Sequence, residues 1–220
     1  MSLQPTLSFL QVGNPDAPHA LEFYLGNAKI FLKAIDPILK PAITGSDGYA
    51  GKVRILIRLQ PQPWHGSSTF LHEAAIAVGR VTPDKFWEYA SIVRLPLPLP
   101  LTAPASHAVL THEPQVFKNQ ETFFDIPAST LTPTQIREKL VALVPEGVDK
   151  SKVADLLTHK TTPNGGVDVT DDLKYNIKLG RQNSVHVTPT ALWDGLVAND
   201  VSSSWDEQEW DKFLSSKVLV

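Results

Sequence analysis

Residues 185–195 read VHVTPTALWDG: a β-branched run, a threonine–proline step, then a second apolar run ending in Asp194–Gly195. Proline cannot donate to a β-ladder, so Pro189 belongs at the first residue of the second run, where no ladder bond is lost. A Thr188–Pro189 bond held cis in a tight turn would aim the backbone just before it outward. The Asp-Gly pair then reads as the turn of a hairpin over 190–199.

Upstream, ALEFYLG (20–26) reads as a strand, and NAKIFLKAIDPILKPAI from Asn27 puts Ile30, Phe31, Ala34, Ile35 and Ile38 on one helical face. Pro37 is expected to kink or end that helix early. KVRILIRLQ (52–60) is the strongest strand, with Val53, Ile55, Ile57 and Leu59 on one side and Leu56 on the other. Strand, helix, strand predicts a parallel pair with a right-handed crossover. TLSFLQVG (6–13) alternates weakly before a Gly-Asn-Pro-Asp cluster and is read as an edge strand.

The middle is helical. SSTFLHEAAIAVGR (67–80) opens with a serine cap, and TPDKFWEYASIVR (82–94) with Thr-Pro-Asp. Alternating prolines in LPLPLPLTAPASHA (95–108) favour extended geometry. Capping stretches predict helices at 133–144, 149–158 and 168–182. SSSWDEQEWDKFLSS (202–216) reads as a capped amphipathic helix with Trp205, Trp210, Phe213 and Leu214 inward. The resulting class is α/β: 1–66 and 183–220 form a small mixed-sheet domain, and 67–182 an inserted helical domain with a Pro-rich loop at 95–116.

Composition narrows the function. The formal net charge of −3 is spread without a Lys/Arg stripe, which argues against nucleic acid. No apolar run approaches the roughly 18 residues that span a bilayer, and no secretory signal is visible, so a cytoplasmic protein without membrane contact is expected. The chain has no cysteine, which removes disulfides, thiolate nucleophiles and cysteine-bound metal. Seven histidines occur with no H-E-x-x-H or H-x-H pair, so no metal site is expected.

HALEFYL, RLQPQPWHGSSTFLHEAAIAV, PDKFWEYA, FKNQETFFD and VHVTPTALWDGLVANDVSSSWDEQEWDKFL together make the chain resemble the fungal-type DsbA-like thioredoxin-domain proteins. The resemblance implies a thioredoxin fold with an inserted α-helical domain, and Pro189 as the family's cis-proline. In that fold the residue before this proline pairs its backbone with an extended substrate or with glutathione. The departures matter as much. Where the family carries a C-x-x-C-type loop, Leu25 is followed by Gly26-Asn27 and at once by Ala28-Lys29, so the redox loop is deleted. Thiol–disulfide exchange needs a thiolate, and the chain has none. The Leu- and Pro-rich stretch 95–116 is a second departure, interposed ahead of the match at Asn119–Asp125.

In an open α/β sheet the ligand crevice lies at the carboxyl ends of the strands. That end gathers Gly26 and Asn27, Pro63 to Gly66, and Val185 to Thr188. His65 and His186 are the catalytic candidates, since imidazole exchanges protons near neutral pH. Trp64, Val187, Thr188 and Pro189 are expected to line the ligand. Asn27 and Lys29 at the helix start can hold an anion, or serve simply as cap and solvated cation. His72-Glu73 is read as a solvated face pair, and Trp193, Trp205 and Trp210 as core. His107 and His112 would matter only if 95–116 closes over the crevice.

Three readings follow. The first is a cofactor-independent isomerase, cyclase or lyase acting on a small molecule. The second is a non-catalytic ligand- or peptide-binding module. The third is a kappa-type glutathione transferase or isomerase, for which glutathione would be the cofactor and Asn27 a poor thiol activator. A homodimer is compatible with all three.

Overall fold

The hairpin is built as its turn residues dictate. Asp194 (φ 49°) and Gly195 (φ 85°) both adopt left-handed backbone, the signature of the two-residue turn that matches strand twist. They join β4 (Thr190–Trp193) to β5 (Leu196–Val197), with Leu192 opposite Val197. The Asp194 carboxylate accepts the Ala20 amide at 2.7 Å and bonds His19 Nδ1 at 2.8 Å, which fastens the turn to the start of β2 (His19–Leu25). The Thr188–Pro189 peptide is cis. Pro189 stands one residue ahead of β4, so the ladder loses no donor.

The computed structural model describes residues 3–26, 34–45, 48–92, 121–202 and 204–218. Asn27, Lys29 and the 95–116 stretch lie outside them. The sheet has the order β1-β3-β2-β4-β5, where β1 is Gln11–Val12 and β3 is Val53–Leu59. β2 and β3 are parallel, as the βαβ pattern predicts, with Leu21 opposite Ile55 and Leu25 opposite Leu59. β4 runs antiparallel to β2, and β1 antiparallel to β3.

One sheet face carries Leu21, Phe23, Leu25, Val53, Ile55, Ile57 and Leu59, all buried in the main core with Ile35, Leu39, Trp210, Phe213 and Leu214. The other face carries Glu22, Tyr24, Arg58 and Leu192, also buried. Between β3 and β4 the chain forms α2 (Ser68–Val81), α3 (Phe86–Ile92), α4 (Asp125–Ala128), α5 (Pro133–Ala142), α6 (Lys150–Leu156) and α7 (Thr170–Gln182). α7 covers the second sheet face. It comes close because Gly180 lacks a side chain: a Cβ there would stand 2.5 Å from Gln60 Oε1 and 3.3 Å from Tyr24 Cε1. The last helix, α8 (Glu207–Lys217), starts with a reciprocal Asp206/Glu209 capping box. α5 has the same device in Thr132/Gln135, and Asp149 caps α6.

Four expectations are corrected. Residues 6–13 are not one edge strand: Pro5–Leu10 is a 3-10 helix burying Leu7, Phe9 and Leu10, and only Gln11–Val12 pairs. Pro5 at the first turn presets helical φ and sacrifices only an amide that would be unpaired anyway. Pro37 does not end its helix. The backbone widens into a π-turn over Ile35–Leu39 and runs on through α1 (Lys40–Thr44). Ser67 makes no side-chain cap for α2; its hydroxyl donates instead to Phe123 O at 2.5 Å. His72 and Glu73 are not a solvated pair, being 5% and 3% exposed. The Ala-rich helix is enclosed on nearly every side. No helix among the described residues is long and apolar enough to cross a membrane.

Candidate functional site

Three chain segments converge at the carboxyl end of β2. Gln60 N donates to Leu25 O at 2.9 Å, extending the parallel pairing past β3. Gln62, buried, donates from Nε2 to Thr188 Oγ1 at 2.5 Å, so the loop after β3 is clasped to the turn before β4. Gly26 lies under this clasp. A Cβ there would meet Thr188 Oγ1 at 2.6 Å and Gln60 O at 3.2 Å, so only glycine lets the three strand ends close.

The turn reaches this position because α7 ends in a Schellman motif. Val185 N bonds Gly180 O at 2.8 Å and Ser184 N bonds Arg181 O at 3.1 Å, with Ser184 in the left-handed region at φ 57°. Val185 then packs against Tyr24 and Leu192. His186 is exposed and turns Nδ1 back to Ser184 O at 3.1 Å. Val187 is 53% exposed, and its carbonyl accepts from Thr190 Oγ1 at 2.8 Å.

The loop after β3 is ordered by its own backbone: His65 N bonds Gln62 O at 3.2 Å and Ser68 N bonds His65 O at 3.0 Å. His65 Nδ1 lies 3.0 Å from Asp125 Oδ2, on the first residue of α4. A carboxylate only accepts, so Nδ1 is the donor, and in the neutral ring the lone pair then sits on Nε2. Nε2 has no hydrogen-bond partner among the described residues. Trp64 (62% exposed) and Ile126 (86% exposed) adjoin the two members of this pair in sequence.

The structure therefore links Thr188 to the 62–68 loop and gives His65 an orienting carboxylate. It ties His186 to its own loop. The sequence reading missed Gln62, Asp125 and the tight fit at Gly26. Asp125 was visible only as the last residue of the FKNQETFFD stretch, with no local pattern tying it to His65. Among the described residues no three His, Asp or Glu side chains gather to hold a metal ion.

Buried beside this end of the sheet is His72. Its Nδ1 bonds Ser68 O at 2.7 Å and its Nε2 faces Leu25 O at 3.4 Å. Burial pushes its pKa below the ordinary 6.5, although the carbonyl contacts oppose the shift. The unfolded chain then takes up the proton first as pH falls. The stability His72 contributes is complete above about pH 6.5 and declines below it, toward the lower folded value. The free energy of unfolding should thus fall between neutrality and mild acid, and His72→Gln should flatten that slope. Identical slopes in the two proteins, followed by urea unfolding at each pH, would remove His72 from the account.

No protein-family model and no curated protein sequence match the chain. Solved structures do. A Pseudomonas syringae protein assigned as a protein-disulfide isomerase superposes with a TM-score of 0.65 at 20% identity, over 95% of this chain and 99% of that one. Chlamydia trachomatis DsbA gives 0.50 at 17% identity, over 98% and 93%. Pseudomonas aeruginosa DsbA2 gives 0.50 at 14% identity, over 96% and 97%. The chain thus has a DsbA-like thioredoxin fold, carried here by a sequence without cysteine.

Proposed function

We propose that the protein is a redox-inactive DsbA-like protein of the fungal type, with 67–182 as its inserted helical domain. It binds a small organic molecule in the crevice between the 62–68 loop and the Thr188–Pro189 turn. It acts there as a cofactor-independent isomerase, cyclase or lyase. The observation that carries this reading is the His65–Asp125 pair at 3.0 Å, a base with its orienting acid. No thiolate is available for the chemistry usual to the fold, and a general base needs none.

In this reading His65 Nε2 removes a proton from a carbon made acidic by a neighbouring carbonyl. The electron pair moves onto that carbonyl oxygen, and Asp125 stabilises the imidazolium that forms. The proton returns to a second carbon in an isomerisation, or to the expelled group in an elimination. Trp64 offers apolar surface for the body of the ligand from the 62–68 loop, with Val187, Thr188, Pro189 and His186 at its other side.

The test begins with mass spectrometry of what co-purifies with the protein. The released molecule is then incubated in deuterium oxide with the parent protein, His65→Ala or Asp125→Asn. Deuterium uptake should be catalysed by the parent and fall about 10²–10⁴-fold in His65→Ala. Asp125→Asn should also lose rate, because an amide can leave the imidazole in the wrong tautomer. Thermal stability should barely change, as exposed ion pairs contribute about 0–1 kcal/mol. Retained binding with no exchange in the parent would replace the enzyme by a binding module.

A further inference from the structure

Between α5 and α6 lies a cavity of about 450 Å³, lined by Arg137, Glu138, Val141, Ala154, Leu157 and His159 among others. We propose that it binds a small monocarboxylate with an apolar body. The site shares no residue with the crevice and does not depend on the function proposed there.

Arg137 carries the argument. Its side chain is nine-tenths buried, and a guanidinium offers five N–H donors. Nη2 donates to Glu73 Oε2 at 2.8 Å and Nη1 to His159 Nε2 at 2.8 Å. Nε is buried with no partner among the described residues. Glu73 makes a one-point contact and no two-point fork; its other oxygen accepts from Thr170 Oγ1 at 2.9 Å. The guanidinium, resting 4.7 Å over the Phe70 ring, is thus held by one carboxylate oxygen and one neutral ring nitrogen.

The second of those contacts is replaceable. Arg137 is permanently charged, so His159 must accept through an unprotonated Nε2, and its own proton sits on Nδ1. A carboxylate in place of the imidazole turns a charged–neutral contact into a charged–charged one, shorter and stronger. His159 is exposed, so its ring is free to yield the position. Val141, Ala154 and Leu157 supply the apolar walls, and the volume is that of ordinary small-molecule sites. Glu138 on the same lining disfavours a second negative charge, which selects a monoanion over a dicarboxylate or phosphate.

The experiment is an amide-resolved NMR titration of the full chain with hexanoate, 1-hexanol and adipate. Hexanoate should give saturable shifts centred on 134–141 and 154–159, with an affinity roughly ten-fold or more above the alcohol and the diacid. Ala154→Phe, which fills the cavity from a half-buried position, should weaken hexanoate by a similar factor. Equal affinities for hexanoate and hexanol, or shifts centred elsewhere, would overturn the proposal. So would a folded Ala154→Phe protein that binds hexanoate as the parent does. Should that variant fail to fold, the acid–alcohol comparison on the unaltered protein still decides.

Discussion

Replacing Glu22 by alanine should lower the unfolding free energy by about 3–5 kcal/mol. Glu22 Oε2 and Arg58 Nε are 2.7 Å apart, at 1% and 0% side-chain exposure. Arg58 Nη1 and Nη2 already lack hydrogen-bond partners among the described residues. Removing the carboxylate would leave a buried guanidinium with no counter-charge, on the sheet face that α7 covers. Against a typical total of about 5–15 kcal/mol, such a loss leaves the protein near its folding limit. The double variant Glu22→Leu/Arg58→Met should behave quite differently, staying close to the parent or above it, because two apolar side chains remove both desolvation costs together. Urea midpoints for the three proteins give the comparison. A single-variant loss below about 1 kcal/mol would mean that water reaches the pair.

Trp210→Ala should cost a similar amount, about 3–5 kcal/mol. Trp210 is 1% exposed and is the largest fully buried side chain among the described residues. It meets Phe23 edge-on at 6.1 Å, Trp205 at 5.1 Å and Phe213 at 6.2 Å. Those rings join β2 to α8, so the void would open between sheet and helix, where neither backbone can readily collapse into it. Trp210→Phe keeps most of the volume and should recover more than half of the loss. Thermal unfolding followed by circular dichroism measures both, and a Trp210→Ala midpoint equal to the parent's would show that this cluster holds little of the fold.

The parts of the fold that were legible in the sequence are those written in neighbouring residues. Asp194-Gly195 announces its turn, Pro189 its place ahead of β4, and the capping stretch ahead of Pro133 the start of α5. The alternation of Val53, Ile55, Ile57 and Leu59 gives the register of the core face. What was not legible joins residues far apart in the chain. Glu73 finds Arg137 across 64 positions and Thr170 across 97, so an acid on an Ala-rich helix looks solvent-facing until its partners arrive. The same holds at the site, where His65 and Asp125 are 60 positions apart. Its Thr188–Gln62 clasp spans 126. The 3-10 turn at Pro5–Leu10 was missed for another reason: its apolar residues also fit a two-residue period, and tertiary burial decided between the two.

The placement of β2 also bears on how the protein is made. Its neighbours are β3, which follows soon after it, and β4, which begins at Thr190. A ribosome adding about 5–20 residues per second would need about ten seconds to pass from one to the other. Throughout that interval the half of β2 that will receive β4 presents unpaired amides and carbonyls beside the apolar residues Leu21 and Phe23. Exposed strand edges of this kind recruit other chains. The nascent protein therefore has a period of vulnerability that the finished sheet does not reveal, and slowed translation through the intervening helices should increase aggregation more than the same slowing after Trp193.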